Sequence, residues 1–148
     1  MTLKVYIVDY HSGNLHSIKS ALDSLKIKSF VSNDYKQLKN CDAIILPGVG
    51  SFNSAMKYLS KSYLSDEIKF IVLEKKVPLF GICLGFQLLF SNSQEFGENQ
   101  GLSLIDGYVT KLKYNYENKN FKIPNIGWRK IEMCNAWIDS PLKKNFNN

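Results

Sequence analysis

Apolar residues run along this chain in two alternating rhythms. Val5-Tyr6-Ile7-Val8 is a short β-branched and aromatic run closed by Asp9, which predicts a buried strand. A loop, Tyr10-His11-Ser12-Gly13-Asn14, follows. Leu15, Ile18, Leu22 and Leu25, joined by Ala21, then recur at helical spacing, with Asn14 placed to cap the helix. A weaker strand is predicted near Ser29-Phe30-Val31, and a clear one at Ala43-Ile44-Ile45-Leu46, ended by Pro47-Gly48-Val49-Gly50. Helices are expected over residues 52–60 and 64–75. A further central strand spans residues 77–82, with Pro78 near its start, where a proline is tolerated. After Cys83 the pattern predicts a helix carrying Phe86, Leu88, Leu89 and Phe90. Residues 91–101 read as a polar loop, residues 102–113 and 126–133 as short strands, and residues 141–148 as carrying neither signal.

Strand and helix alternate through about residue 91, the pattern of an open parallel sheet flanked by helices, an α/β fold. At 148 residues, 45% hydrophobic and 22% charged, the chain fits one domain, 1–148, with one core. No apolar run is long enough to cross a bilayer. The N-terminus runs straight into strand-like sequence, so no signal peptide is expected and the cytoplasm is the expected compartment. The three cysteines, Cys41, Cys83 and Cys134, are odd in number and widely spaced. They form neither a disulfide framework nor a zinc pattern. Net charge is +6, yet the lysines are scattered, so a solvated basic surface is favoured over a nucleic-acid footprint.

The candidate chemistry centres on Gly81-Ile82-Cys83-Leu84-Gly85, which joins a buried strand to a helix with almost no connecting residues. A nucleophile on such an elbow is forced into a strained conformation and projects from the rim of the sheet. The flanking glycines let neighbouring elements approach without a clashing Cβ. The positive end of the next helix favours the thiolate, and the Leu84 N–H is placed to donate to an oxyanion. Pro47-Gly48-Val49-Gly50 reaches the same rim, because parallel strands gather their C-terminal ends together. Its backbone can serve an oxyanion, form a plain turn or make a phosphate nest; it lacks the Lys-Ser/Thr of a P-loop.

These segments resemble the class I glutamine amidotransferases, and more narrowly the glutaminase subunits of imidazole glycerol phosphate synthases, which serve histidine biosynthesis. The resemblance rests on Asp9-Tyr10-His11-Ser12-Gly13-Asn14-Leu15 with Ser17, on residues 46–52, on residues 81–89, and on Pro124-Asn125-Ile126-Gly127-Trp128. They stand in the family's order and spacing over nearly the whole chain. The resemblance implies a flavodoxin-like, class I amidotransferase fold. It implies that Cys83 attacks the glutamine carboxamide to form a glutamyl thioester, with Gly48, Val49 and Leu84 shaping the oxyanion hole. Gln87 and Gly50 would hold the substrate. Ammonia would pass to a (β/α)8-barrel synthase subunit in a heterodimer, faced by Asn14 and Trp128. No cofactor, metal, nucleic acid or membrane is implied.

Two departures from the family pattern stand out. Asn125 and Ile126 occupy positions where the family usually has His and Met, which fits related subunits that serve bacterial surface-sugar amidation. A cysteine amidase also needs a base, which the family supplies as a His-x-Glu motif near its C-terminus. This chain has only His11 and His16, and neither is followed two residues later by Glu. His16 reads as solvated or capping, and His11, in a rim loop, more as structural than catalytic. The expectation is a family member truncated or split at its C-terminus, with little turnover on its own. A remnant or scaffold that only binds a synthase is the non-catalytic alternative. A thiol hydrolase or redox protein of the related flavodoxin-like cysteine family, citing Asp9, is a weaker one.

Overall fold

The computed structural model describes residues 3–112 together with Gly127, Trp128 and Lys130. The chain divides into two compact units, Met1–Lys111 and Leu112–Asn148. In the second, Trp128 is fully exposed. Apart from Gly127, Trp128 and Lys130, the predicted strand at residues 126–133 lies outside the described residues, as do the segment Pro124-Asn125-Ile126, the tail 141–148 and Cys134.

The first unit is built on a four-stranded, all-parallel sheet in the order β2-β1-β3-β4. Its strands are β1 (Lys4–Val8), β2 (Lys28–Ser32), β3 (Ala43–Leu46) and β4 (Leu79–Gly81). Helix α1 (Leu15–Ser24) connects β1 to β2, while α2 (Phe52–Lys61) and α3 (Leu64–Leu73) connect β3 to β4. Asn14 caps α1, its side chain accepting from Ser17 N–H at 3.1 Å, as its place in the sequence predicts. Ser51 opens α2 in the same way.

Register sets the core. Tyr6 pairs with Ile44 and Ile44 with Leu79, so these side chains share one face of the sheet. That face, with Tyr6, Val8, Ile44 and Leu46, is buried in one cluster with Phe52, Ala55 and Leu59 of α2 and Leu64, Ile68 and Ile71 of α3. A 3₁₀ turn at Tyr35–Asn40, missed by the sequence pattern, adds fully buried Leu38. The other face is covered unevenly. Val5 and Ile7 are buried, but Phe80 is 59% exposed, and α1 has no buried residue.

Three expectations from sequence are corrected. The strand at 77–82 is shorter, β4 holding only three residues, because Pro78 has no N–H and the Val77 N–H turns back to Ile71 O at 3.3 Å. The helix after Cys83, α4, covers only Leu84–Gln87. The Leu88 and Leu89 carbonyls are taken by the N–H groups of Leu102, Leu104 and Ile105 at 2.8–3.0 Å, so the chain leaves the helix and Phe90 begins a strand. The polar loop at 91–101 instead contains β5 (Phe90–Ser93) and β6 (Asn99–Gln100). They join β7 (Ile105–Val109) in a second sheet ordered β6-β5-β7. Ser-Asn-Ser carries little strand propensity, and tertiary pairing overrides it.

Truncating a fully buried side chain of this core has a calculable cost. Ile71→Ala is expected to lower the unfolding free energy by about 2–5 kcal/mol in urea titration. Leu25→Ala, at a residue 69% exposed, should stay within about 0.5 kcal/mol. Equal losses would contradict the burial described.

Candidate active site

Cys83 stands between β4 and α4 with φ 54° and ψ −116°, a backbone that a non-glycine residue rarely adopts. Its thiol is exposed. Nearby bonds hold the strain: Ile82 N–H donates to Leu46 O at 2.9 Å, and Cys83 O accepts from Phe86 and Gln87 N–H at 3.0 and 3.2 Å. This is the geometry of a strand-to-helix nucleophile elbow, as the sequence predicts. The helix behind it is one turn long, so its macrodipole is smaller than a full helix would give.

The loop 47–50 is packed directly against the elbow. A Cβ on Gly85 would lie 1.8 Å from Leu46 O, and one on Gly48 would lie 1.9 Å from the Tyr10 hydroxyl and 3.1 Å from Leu84 Cβ. A Cβ on Gly81 would lie 2.6 Å from Phe86 Cα. Gly48 and Leu84 are therefore neighbours, and Leu84, first residue of α4, has no partner for its N–H inside that helix. Val49 is exposed, but its N–H donates to Ser12 Oγ at 3.1 Å, and the same hydroxyl donates to Val49 O. Gly50 takes φ 98° with open space around it.

Tyr10 and Ser12 were not singled out by the sequence, yet both hold this loop. The buried Tyr10 hydroxyl donates to Pro47 O. Burial pushes its phenol up to about 12; a hydrogen bond with the Ser12 hydroxyl pulls the other way, and the charge of Cys83 adds to the rise. The two histidines have contacts or positions of their own. His11, at φ 60°, has Nε2 3.2 Å from Tyr58 Oη and Nδ1 4.0 Å from the Asp9 carboxylate. His16 lies exposed in α1, and exposed Asn14 serves as its cap.

Gln87 is exposed one turn beyond Cys83 and lines a cavity of about 520 Å³ with Gln94, Glu95, Phe96, Val109, Thr110 and Lys111. Glu95 is the functional candidate that the sequence missed, because it sits in the stretch read as a polar loop. Its Oε2 accepts from Phe52 N–H at 2.7 Å, at the start of α2. Cavity and elbow thus share α4.

Comparison with known proteins gives this arrangement its class. The class-I glutamine amidotransferase family matches residues 6–134, and the chain belongs to that family. Among its relatives, the chain is 40% identical over 127 residues to the imidazole glycerol phosphate synthase subunit HisH of Sulfurimonas denitrificans, covering 86% of this chain and 61% of that protein. It is 38% identical to subunit HisH 1 of Campylobacter jejuni, covering 97% and 69%, and 43% identical to HisH of Bacillus subtilis, covering 92% and 63%. The chain thus spans roughly two thirds of the length of these relatives. A solved glutamine amidotransferase superposes with a TM-score of 0.61 at 24% identity, over 71% of this chain and 55% of that one. A peptidase E protein from Listeria monocytogenes gives 0.59 at 16%, over 70% and 63%. Both share the fold.

The buried Tyr10 phenol makes stability depend on alkaline pH. Its folded value lies above the ordinary 10, so its contribution is intact below pH 10 and is lost as pH rises towards about 12. Thermal melts are expected to fall across that window, and Tyr10→Phe to flatten the fall. An unchanged slope in the variant would remove Tyr10 as its cause.

Proposed function

We propose that this chain is the nucleophile-bearing part of a glutaminase subunit of an imidazole glycerol phosphate synthase. The observation that carries the reading is the exposed Cys83 thiol, held at φ 54° on a strand-to-helix elbow. In this reading the Cys83 sulfur attacks Cδ of the glutamine carboxamide. The carbonyl oxygen collects negative charge, facing the N–H of Leu84 and the Gly48-Val49 backbone. The tetrahedral adduct then expels ammonia, which leaves with an added proton, and water hydrolyses the glutamyl thioester to glutamate. Val49 N–H, bound to Ser12 Oγ here, exchanges that partner for the oxyanion.

Gln87 and Gly50 belong to the glutamine seat in this reading. The cavity beside Gln87 supports it, because Glu95 and Lys111 offer opposite charges for the α-ammonium and α-carboxylate of an amino acid. Asn14 and Trp128, both exposed, face the synthase, a (β/α)8 barrel that receives the ammonia in a cytoplasmic heterodimer. The HisH names of the relatives favour the histidine pathway. Asn125 and Ile126, standing where the family has His and Met, favour surface-sugar amidation as the second reading.

In this reading the two histidines of the sequence do not act as the base: His11 contacts Tyr58 and Asp9, and His16 lies on α1. The chain assayed alone is therefore expected to release little ammonia. Turnover comparable to that of a full-length HisH subunit, abolished by Cys83→Ser, would overturn this. The thiol should still be alkylated by 6-diazo-5-oxo-L-norleucine, a carbon–sulfur bond forming as dinitrogen leaves. Peptide mass spectrometry should place the adduct on Cys83 and not on Cys41, which is half-buried and whose thiol burial pushes up. Absence of a selective Cys83 adduct would sink the assignment.

A further inference from the structure

The loop between β5 and β6, residues 94–98, carries an unusual residue at its bend. Phe96 takes φ 53° and the next residue, Gly97, takes φ 111°. Glycine and asparagine adopt a positive φ readily, whereas a bulky aromatic there is a strained outlier. Phe96 is also 90% exposed, so its phenyl ring gains nothing from the core. Neither sequence propensity nor hydrophobic burial accounts for it.

The surroundings impose this conformation. Asn99 Nδ2 donates to Glu95 O at 2.7 Å and to Gly97 O at 2.8 Å, bracing the bend from inside. Asn53 of α2 donates to Asn99 Oδ1. Glu95 N–H donates to Ser93 Oγ at 3.1 Å, and Gln94 N–H to Val109 O at 2.9 Å. The Glu95 carboxylate is fastened to the start of α2 through Phe52 N–H. Such strain persists only where its neighbours over-determine it, and strained residues cluster at active sites and ligand clamps.

Phe96 lines the cavity shared by Gln87, Glu95 and Lys111, and it is the aromatic group there. We propose that Phe96 is the outer wall of the amino-acid seat, its ring folding over the aliphatic chain of bound glutamine while its braced backbone stays fixed. This rests on the glutaminase reading above. A phenyl ring laid over Cβ and Cγ excludes water from the methylene groups and leaves the carboxamide directed towards Cys83. Only the χ angles need to move, since the backbone bonds hold the loop. The ring thereby acts as a specificity-determining group for the amino acid, distinct from the polar anchors.

The test pairs two alkylating probes with two substitutions in the full chain. The rate of Cys83 modification is measured with 6-diazo-5-oxo-L-norleucine, which needs the seat, and with iodoacetamide, which does not. Phe96→Asn is expected to slow the first by about tenfold or more, equivalent to one well-buried contact, and to leave the second unchanged. The same variant should raise Tm by about 2–4 °C, because asparagine tolerates the positive φ. Phe96→Tyr should retain the wild-type ratio of the two rates. Equal loss with both probes, or a norleucine rate unaffected by Phe96→Asn, would overturn the proposal while leaving the glutaminase reading intact. Failure of the wild type to react selectively with the norleucine reagent would overturn both.

Discussion

Two backbone segments meet at the rim of the sheet without room for a single extra methyl group, and the site depends on that contact. Gly85 lies against the carbonyls of Leu46 and Pro47, and Gly48 lies against Tyr10 and Leu84. Any side chain at either glycine would push the loop after β3 away from the elbow after β4. The close approach packs the loop that carries Val49 against Leu84 at the start of α4. Tyr10 secures it from below by donating to Pro47 O, and its buried phenol holds its proton through the physiological range. The cost of these contacts is borne by the core beneath, where α2 and α3 cover Tyr6, Ile44 and Leu46.

The legible part of the fold was the part whose local and tertiary preferences agree. The β-branched runs at Val5–Val8 and Ala43–Leu46, and the helical spacing of Leu15, Ile18 and Leu22, each occur where the structure has a strand or helix. The elbow was legible because glycines on both sides of Cys83 have few other uses between a strand and a helix. The second sheet was not legible. Its central strand is Phe-Ser-Asn-Ser, and pairing with distant residues 99–100 and 105–109 creates it. Helix α4 was overextended for the same reason: Leu88 and Leu89 carry helical spacing, but their carbonyls are claimed from residues 102–105.

The misread stretch is where the site acquired its unforeseen parts. Glu95 and Phe96 belong to the β5–β6 connection and Asn99 to the strand that follows it, while Ser12 belongs to a loop whose sequence gives no sign of its bond to Val49. Glu95 and Ser12 act through contacts more than thirty residues away, Phe96 through a backbone angle and Asn99 through side-chain bonds to its own bend, and none of these leaves a periodic trace. The elbow at Cys83 is encoded locally, whereas its surroundings are encoded by long-range pairing.

Strand β4 gives Cys83 an unusual mount. It has three residues, none fully buried, and it forms the edge of the described four-stranded sheet. Cys83 follows its end, so a lightly held edge strand carries the exposed thiol. Local opening costs less free energy than global unfolding where burial is shallow. Detachment of β4 would release the strained backbone at Cys83 and disarm the thiol while the Tyr6–Ile44 core stayed folded. On warming, the Cys83 elbow is thereby set to loosen before the fold does, which makes thiol labelling a finer thermometer of the sheet's edge than any global melting curve.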